Sequence, residues 1–155
     1  VSTLEPQLSC PQGVDNVYPI SEVLGTPMDE VYIGSCTNGS LEDLKAAADI
    51  LRGKKVANHV RVIVVPATNT VFKEAIEKGY IKDFIEAGCV ISHPCCGLCC
   101  GMPYGLMYDD ERILLTANRN FIGRQGTKKT LGYLSSPAVA AATALTGVVT
   151  DPRTL

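Results

Sequence analysis

Neither sign of charge prevails in this chain of 155 residues, where 14 lysines and arginines stand against 16 acidic residues. Without a basic excess there is no cationic footprint for nucleic acid, which argues against that class of partner. Nor is there an apolar run long enough to span a bilayer, which takes about 20 residues in a helix. The opening VSTLEPQLSC lacks the charged and apolar regions of a secretory signal. It also lacks an initiating Met, which fits a processed product, an expressed segment or a fragment of something longer, and composition does not choose among them. Tryptophan is absent, and no internal repeat or low-complexity segment interrupts the pattern. With 46% hydrophobic and 19% charged residues, the composition is globular, and the length suits one domain around one sizeable core.

What the chain has in quantity is cysteine: Cys10, Cys36, Cys89, Cys95, Cys96, Cys99 and Cys100. An odd count, no secretory signal and four thiols packed into SHPCCGLCCG fit a reducing, cytoplasmic setting better than a disulfide framework. Clustered thiols bind metal or do redox chemistry. Cys10 and Cys89 stand apart and read as buried, inert thiols, since free cysteine behaves as a small hydrophobe.

Residues 1–24 show no sustained period and read as an extended lead-in or inter-domain linker. From Glu30 the pattern is regular. EVYIGSC reads as a strand running into a turn, and Ser40 caps a helix in which Leu41, Leu44, Ala47, Ala48 and Leu51 recur at helical spacing. VRVIVVPA is a continuous β-branched run, the mark of a strand covered on both faces. Thr70 opens a helix through Lys78, and YIKDFIEAG forms a second before the strand CVISHP. RILLTA is the next strand, and Ser136 with Pro137 starts the helix PAVAAATAL, closed by Gly147. Strands alternating with helices over 25–155 predict a three-layer α/β sandwich with a mostly parallel sheet. Ligand sites in such sheets gather at the carboxyl ends of the strands. Three unusual stretches follow expected strands and should open on one edge: GSCTNGS, SHPCCGLCCG and ANRNFIGRQG.

Cys96 and Cys99 have the CxxC spacing that brings two sulfurs to one metal or cluster, and Cys36 offers a third thiolate from another strand end. Three protein ligands leave one metal coordinate open, as at a catalytic centre, whereas structural zinc takes four. Two other readings compete. CGLC matches the spacing of thiol–disulfide exchange motifs, although Pro94 precedes it, no Trp is near and Cys36 is left unexplained. Cys36, Cys96, Cys99 and His93 are also enough for a closed zinc site, although His93 alone reads as a strand-end histidine. In the third stretch, Arg119 and Arg124 flank a turn rich in asparagine and glycine, and guanidinium groups recognise carboxylates bidentately.

GSCTNG, CGLCCG and NRNFIGRQG, in this order and separation, resemble the three signature stretches of the aconitase family. LEPQ, DNV, YLSSPAVAAA and TDPR resemble most the isopropylmalate dehydratase large-subunit branch and its homoaconitase relatives, so nearly the whole chain is covered. The resemblance implies an iron–sulfur hydro-lyase that isomerises a hydroxy-di- or tricarboxylic acid by dehydration and rehydration, with isopropylmalate of leucine biosynthesis the substrate most resembled. It implies a [4Fe-4S] cluster held by Cys36, Cys96 and Cys99, with one iron free for substrate, and substrate contacts from Arg119, Arg124 and Asn118. It assigns no catalytic base to this chain. That serine belongs to a swivelling small subunit or domain, and residues 25–155 correspond to the cluster-binding part of a longer large subunit. Cys95, Cys100 and Ser40 depart from the family pattern, which has other residues beside the CxxC cysteines and commonly Arg in place of Ser40.

Overall fold

Aliphatic runs with apolar residues on both faces cannot rest against water, and here they pair into the centre of a sheet covered on each side. The computed structural model describes residues 4–101 and 105–155. In chain order the main elements are β1 (Gln7–Ser9), β2 (Val17–Pro19), α1 (Ile20–Val23), β3 (Glu30–Gly34), α2 (Leu41–Leu51), β4 (Arg61–Val65), α3 (Asn69–Glu77), α4 (Tyr80–Ala87), β5 (Val90–Ile91), a 3-10 turn (Gly97–Cys100), β6 (Arg112–Leu115), β7 (Leu131–Leu134) and α5 (Pro137–Thr146). The strands form one sheet in the order β2-β1-β7-β6-β3-β4-β5. β7, β6, β3, β4 and β5 run parallel, and the β1–β2 hairpin adds to β7 antiparallel.

Strand alternation divides the interior in two. Val31, Ile33, Val62, Val64 and Leu114 face the helices and pack with Leu44, Leu51, Phe84 and Val139. Tyr32, Ile63, Val65, Ile113 and Leu115 face the other way and are covered by Leu98, Cys99 and Met107. The α/β architecture therefore stands, with its layer on the second face built from the cysteine turn and the segment around Met107. Ser40 closes a capping box with Asp43 at the head of α2, and Ser136 caps α5 with Pro137 in its first turn.

Three differences from the sequence reading have local causes. The segment expected as a bare lead-in forms the β1–β2 hairpin, because Leu8 is buried in the helical-side core and Ser9 pairs with Leu134. LGYL forms β7, whose mixed burial gives no sustained apolar run. CVISHP shrinks to the two residues of β5, an edge strand paired on one side.

Glu30 opens β3 on the second face, and its side chain is wholly buried. Arg61 Nε donates to its Oε2 at 3.0 Å, while Oε1 has no partner among the described residues. Arg61 also donates to both oxygens of Glu111, each at 3.2 Å, and Glu111 accepts from the Tyr108 amide at 2.7 Å. The trio roots the far end of the cysteine segment on the sheet. Burial pushes the Glu30 pKa up to about 7, against the pull of Arg61.

Folded Glu30 holds its proton more tightly than the unfolded chain does. Its contribution to stability is therefore full below its ordinary value of 4.5 and is lost as pH rises through about 7. The loss across that window should be on the order of 3 kcal/mol. Glu30→Gln keeps the shape and cannot ionise, so urea midpoints measured against pH should flatten in that window. Parallel curves for the two proteins would count against the buried carboxyl.

Candidate functional site

Chain order fixes where a site can open. From β3 the chain moves outward to β4 and β5, then returns to lay β6 on the other side of β3 and continue to β7. The loops after β3 and β6 thus diverge, leaving a crevice at the carboxyl edge, where doubly wound sheets place their ligands. Residues 35–40 and 116–126 line its two sides, and the cysteine segment after β5 covers the sheet face beneath.

The β3 loop is held by backbone geometry. Gly34 has φ +105 with the Val65 carbonyl where a Cβ would stand, so no other residue fits. Ser35 follows with φ +123, a strained value for a residue with a side chain, and is fully buried. This double reversal turns Cys36 out of the sheet into an exposed position. Opposite it, Cys96 is also exposed, and the two sulfurs lie 3.7 Å apart. The hydrogen bond with Cys36, and then the electrostatic influence of that neighbouring sulfur, hold the Cys96 thiol above its ordinary pKa.

Cys99 lies one turn on, its amide bonded to the Cys96 carbonyl at 3.2 Å, and is buried against the second-face core. Cys100 is exposed and donates to the Gly97 carbonyl at 3.4 Å, and Cys95 is half-buried. Gly97 has φ +50 and sits on the Tyr32 hydroxyl, which leaves no room for a Cβ. Burial, reinforced by the nearby thiols, raises the Tyr32 pKa and keeps its phenol protonated beneath the turn. Among the described residues, no three His, Cys, Asp or Glu side chains converge on a single metal ion. His93 turns its ring edge-on to Phe72, with centroids 6.0 Å apart. Burial pushes the Cys89 thiol up to about 12 and raises Cys10 as well, so neither is a ready nucleophile.

Across the crevice, the Asn38 amide nitrogen donates to the Thr116 carbonyl and, at 2.8 Å, to Asn118 Oδ1. Asn118 Nδ2 in turn donates to Thr37 Oγ1 at 2.7 Å. The two loops are laced together by side chains one and two residues after Cys36. Arg124 is half-buried, and its Nε donates to the Cys99 carbonyl at 2.5 Å, joining the β6 loop to the cysteine turn. Arg119 is exposed, with its guanidinium carbon 5.6 Å from the centre of the Phe121 ring. Asn120 is buried beneath them and donates to Ser9 Oγ, the Cys10 carbonyl and the Gly132 carbonyl. Asn38, Thr116 and Asn120 were not singled out from sequence. Asn38 and Asn120 fall inside the two polar strand-end stretches, and Thr116 closes the expected strand RILLTA just before the second.

The family model for the aconitase family (aconitate hydratase) matches residues 5–147. The chain belongs to the aconitase family. It is 54% identical over 153 residues to the 3-isopropylmalate dehydratase large subunit 1 of Archaeoglobus fulgidus, covering 99% of this chain and 37% of that protein. It is 49% identical over 152 residues to the 3-isopropylmalate dehydratase large subunit of Saccharolobus solfataricus, covering 98% of this chain and 36% of the relative. Against the corresponding large subunit of Nitratidesulfovibrio vulgaris strain Miyazaki F, identity is 48% over 155 residues, covering all of this chain and 37% of the relative. The chain thus spans little more than a third of the length of the curated relatives it matches. The matched stretch of this aconitase-family chain holds all three crevice loops.

Asn38 is the side chain that ties the two sides of the crevice together. Asn38→Ala should lower stability by roughly 1–3 kcal/mol, the cost of leaving part-buried partners unpaired. Asn118→Ala, at an exposed position, should cost less than about 1 kcal/mol. Chemical denaturation of the three proteins compares them. An unchanged midpoint for Asn38→Ala would show that the lacing contributes nothing.

Proposed function

We propose that this chain is the cluster-binding part of a hydro-lyase large subunit that interconverts 2- and 3-isopropylmalate by dehydration and rehydration. The observation that carries the reading is the meeting of Cys36 and Cys96 at the carboxyl edge of the sheet, where Asn118 bonds the Cys36 loop and Arg124 bonds the cysteine turn. Membership of the aconitase family and relatives named 3-isopropylmalate dehydratase large subunit support the substrate class.

The donor set fits an iron–sulfur cluster. Two exposed thiols come from separate loops, and a third, Cys99, lies one turn from Cys96. Three thiols on two loops suit an inorganic cluster, whose irons each take a thiolate. Cys36, Cys96 and Cys99 would hold it, and an iron left free of protein thiolate would supply a Lewis acid for the leaving hydroxyl.

The remaining work falls to side chains. Arg124 is pinned through Nε, and among the described residues its Nη atoms make no hydrogen bond, which leaves them for a carboxylate. Arg119, propped on Phe121, offers a second cation for the other end of a dicarboxylate. Asn118 keeps one amide hydrogen beyond the bond to Thr37, enough for a substrate oxygen. No described residue is a suitable base. His59 lies against Gly147 at the opposite edge of the sheet, His93 packs on Phe72 and Ser35 is buried. The proton at the adjacent carbon would be taken by a residue from elsewhere in the large subunit or from a small subunit closing over the crevice.

Anaerobic reconstitution with iron and sulfide should give a broad visible absorbance band. Cys36→Ser, Cys96→Ser and Cys99→Ser should each abolish it, whereas Cys95→Ser and Cys100→Ser should retain it. Loss in Cys95→Ser with retention in Cys96→Ser would overturn the ligand assignment.

Turnover divides along the same line. The reconstituted chain alone should be inert toward isopropylmalate, since removing a positioned base costs about 10²–10⁴ in rate. Activity should appear when the rest of the large subunit and a small subunit are supplied. There, Arg124→Lys should abolish most turnover, because the ammonium keeps the charge and loses the planar fork. Measurable turnover by the isolated chain would place the base within it and refute the division of labour.

A further inference from the structure

The loop after β6 is polar and mostly open to water, yet two of its amide side chains are buried. Asn118, Arg119, Phe121 and Ile122 are exposed, whereas Asn120 and Gln125 are not. Asn120 turns its amide back toward the hairpin and β7, donating to Ser9 Oγ and to the Cys10 and Gly132 carbonyls. Gln125 is placed differently. Its Nε2 donates to the Arg119 carbonyl at 2.8 Å, so Arg119 is tied to the residue that directly follows Arg124. One side-chain hydrogen bond thus joins the two arginine backbones. The Gln125 carbonyl accepts from the Met107 amide at 2.9 Å, and within the closed loop the Arg124 amide donates to the Phe121 carbonyl at 3.0 Å. The Gln125 side chain lies on Gly132 of β7, where a Cβ would come within 3.0 Å of its Oε1. Without the Gln125 bond, the Arg119 end would follow the hairpin through Asn120. The Arg124 end would follow the cysteine turn through the Cys99 carbonyl.

We propose that Gln125 is a positioning residue, whose buried amide sets the separation of Arg119 and Arg124 and thereby their joint fit to a substrate bearing two carboxylates. The proposal rests on the reading above, in which both arginines meet substrate carboxylates. Gln125 touches no substrate and acts through the two backbones it joins. Guanidinium recognition of a carboxylate depends on orientation as well as charge, because two parallel N–H bonds must align with two oxygens. Two such contacts on one molecule add a demand on their spacing, and a group misplaced by about 1 Å can cost as much as about 10²-fold. The chemistry of the side chain suits the task. An amide supplies a donor for the Arg119 carbonyl without adding charge beside two cations, whereas an ionised carboxylate could only accept. Breaking the bond would leave that carbonyl to seek another partner and release the loop to shift.

The test is to place Gln125→Met and Gln125→Glu in the large subunit that contains this chain, assembled with its small subunit and reconstituted anaerobically. Both variants keep the length of the side chain and lose the amide donor, and the second matches the original in shape should the first fold poorly. Rates on isopropylmalate are expressed per iron–sulfur chromophore, so that empty or unfolded molecules do not count. The expected result is a fall in kcat/KM of about 10-fold or more, the greater part of it as a rise in KM. Backbone hydrogen exchange of the same preparations should quicken over residues 119–125 and match the wild type over the helices. A glutamine that merely fills space would behave differently, lowering the chromophore yield and speeding exchange throughout while KM stays where it was. That outcome, or an unchanged KM with an unchanged loop, would overturn the proposal. Wild-type enzyme with no turnover of isopropylmalate would sink the hydro-lyase reading by itself. Exchange then decides the role of Gln125: quickening confined to residues 119–125 supports it, and unchanged protection there refutes it.

Discussion

The Gly34 amide donates to Thr116 Oγ1 at 2.7 Å, and the candidate site hangs on the junction this bond closes. β3 and β6 are neighbours in the sheet but far apart in the chain, and their loops leave in different directions. A crevice follows from that divergence, and water would separate its walls if nothing joined them. The Thr116 hydroxyl, taking the Gly34 amide and returning a bond to the Gly34 carbonyl at 3.3 Å, anchors one wall to the other at the level of the strands. Asn38, Asn118 and Thr37 extend the same lacing outward to the rim. Cys36 sits between these contacts, so its position is set by hydrogen bonds on both sides and by the strained backbone of Ser35 before it.

The two faces of the sheet are covered unequally, and this bears on chemistry. Four helices of ordinary length shield one face, giving a core of Leu, Val, Ala and Phe side chains that tolerates little change. The other face is shielded by a short turn and a loop, held by a few specific contacts. At the carboxyl edge Arg124 grips the Cys99 carbonyl, and at the amino edge the Arg61 network of Glu30 and Glu111 grips the segment around Met107 and Tyr108. The cysteines are thus carried on a cover secured at both ends. Tyr32 supports the middle of that cover, and its buried phenol explains why Gly97 cannot carry a side chain.

Such a design separates roles. The chain presents exposed thiols and two arginines on one edge of the sheet. Groups that must approach and withdraw during turnover are better placed on a different body, because closure excludes water and opening releases product. The chain spans about a third of the length of its aconitase-family relatives.

Much of this was legible in the residues. The β-branched run of β4, the capped helices α2 and α5, and the alternation of strands with helices follow from local patterning, since burial on two faces or along one stripe leaves a periodic record. Cys36, Cys96, Arg119 and Arg124 stood out because thiols and guanidinium groups gathered at strand ends have few ordinary uses. The hairpin of β1 and β2 and the strand β7 left no such record, for they are short and half-exposed and owe their pairing to one another. Nor did the sequence single out Asn38, Thr116 and Asn120, common polar residues whose importance lies in partners as many as 111 positions away. Local sequence therefore determined the elements and the reactive side chains. Tertiary structure decided which of them meet, because hydrogen bonds across a crevice depend on strand order, and strand order is a property of the whole chain.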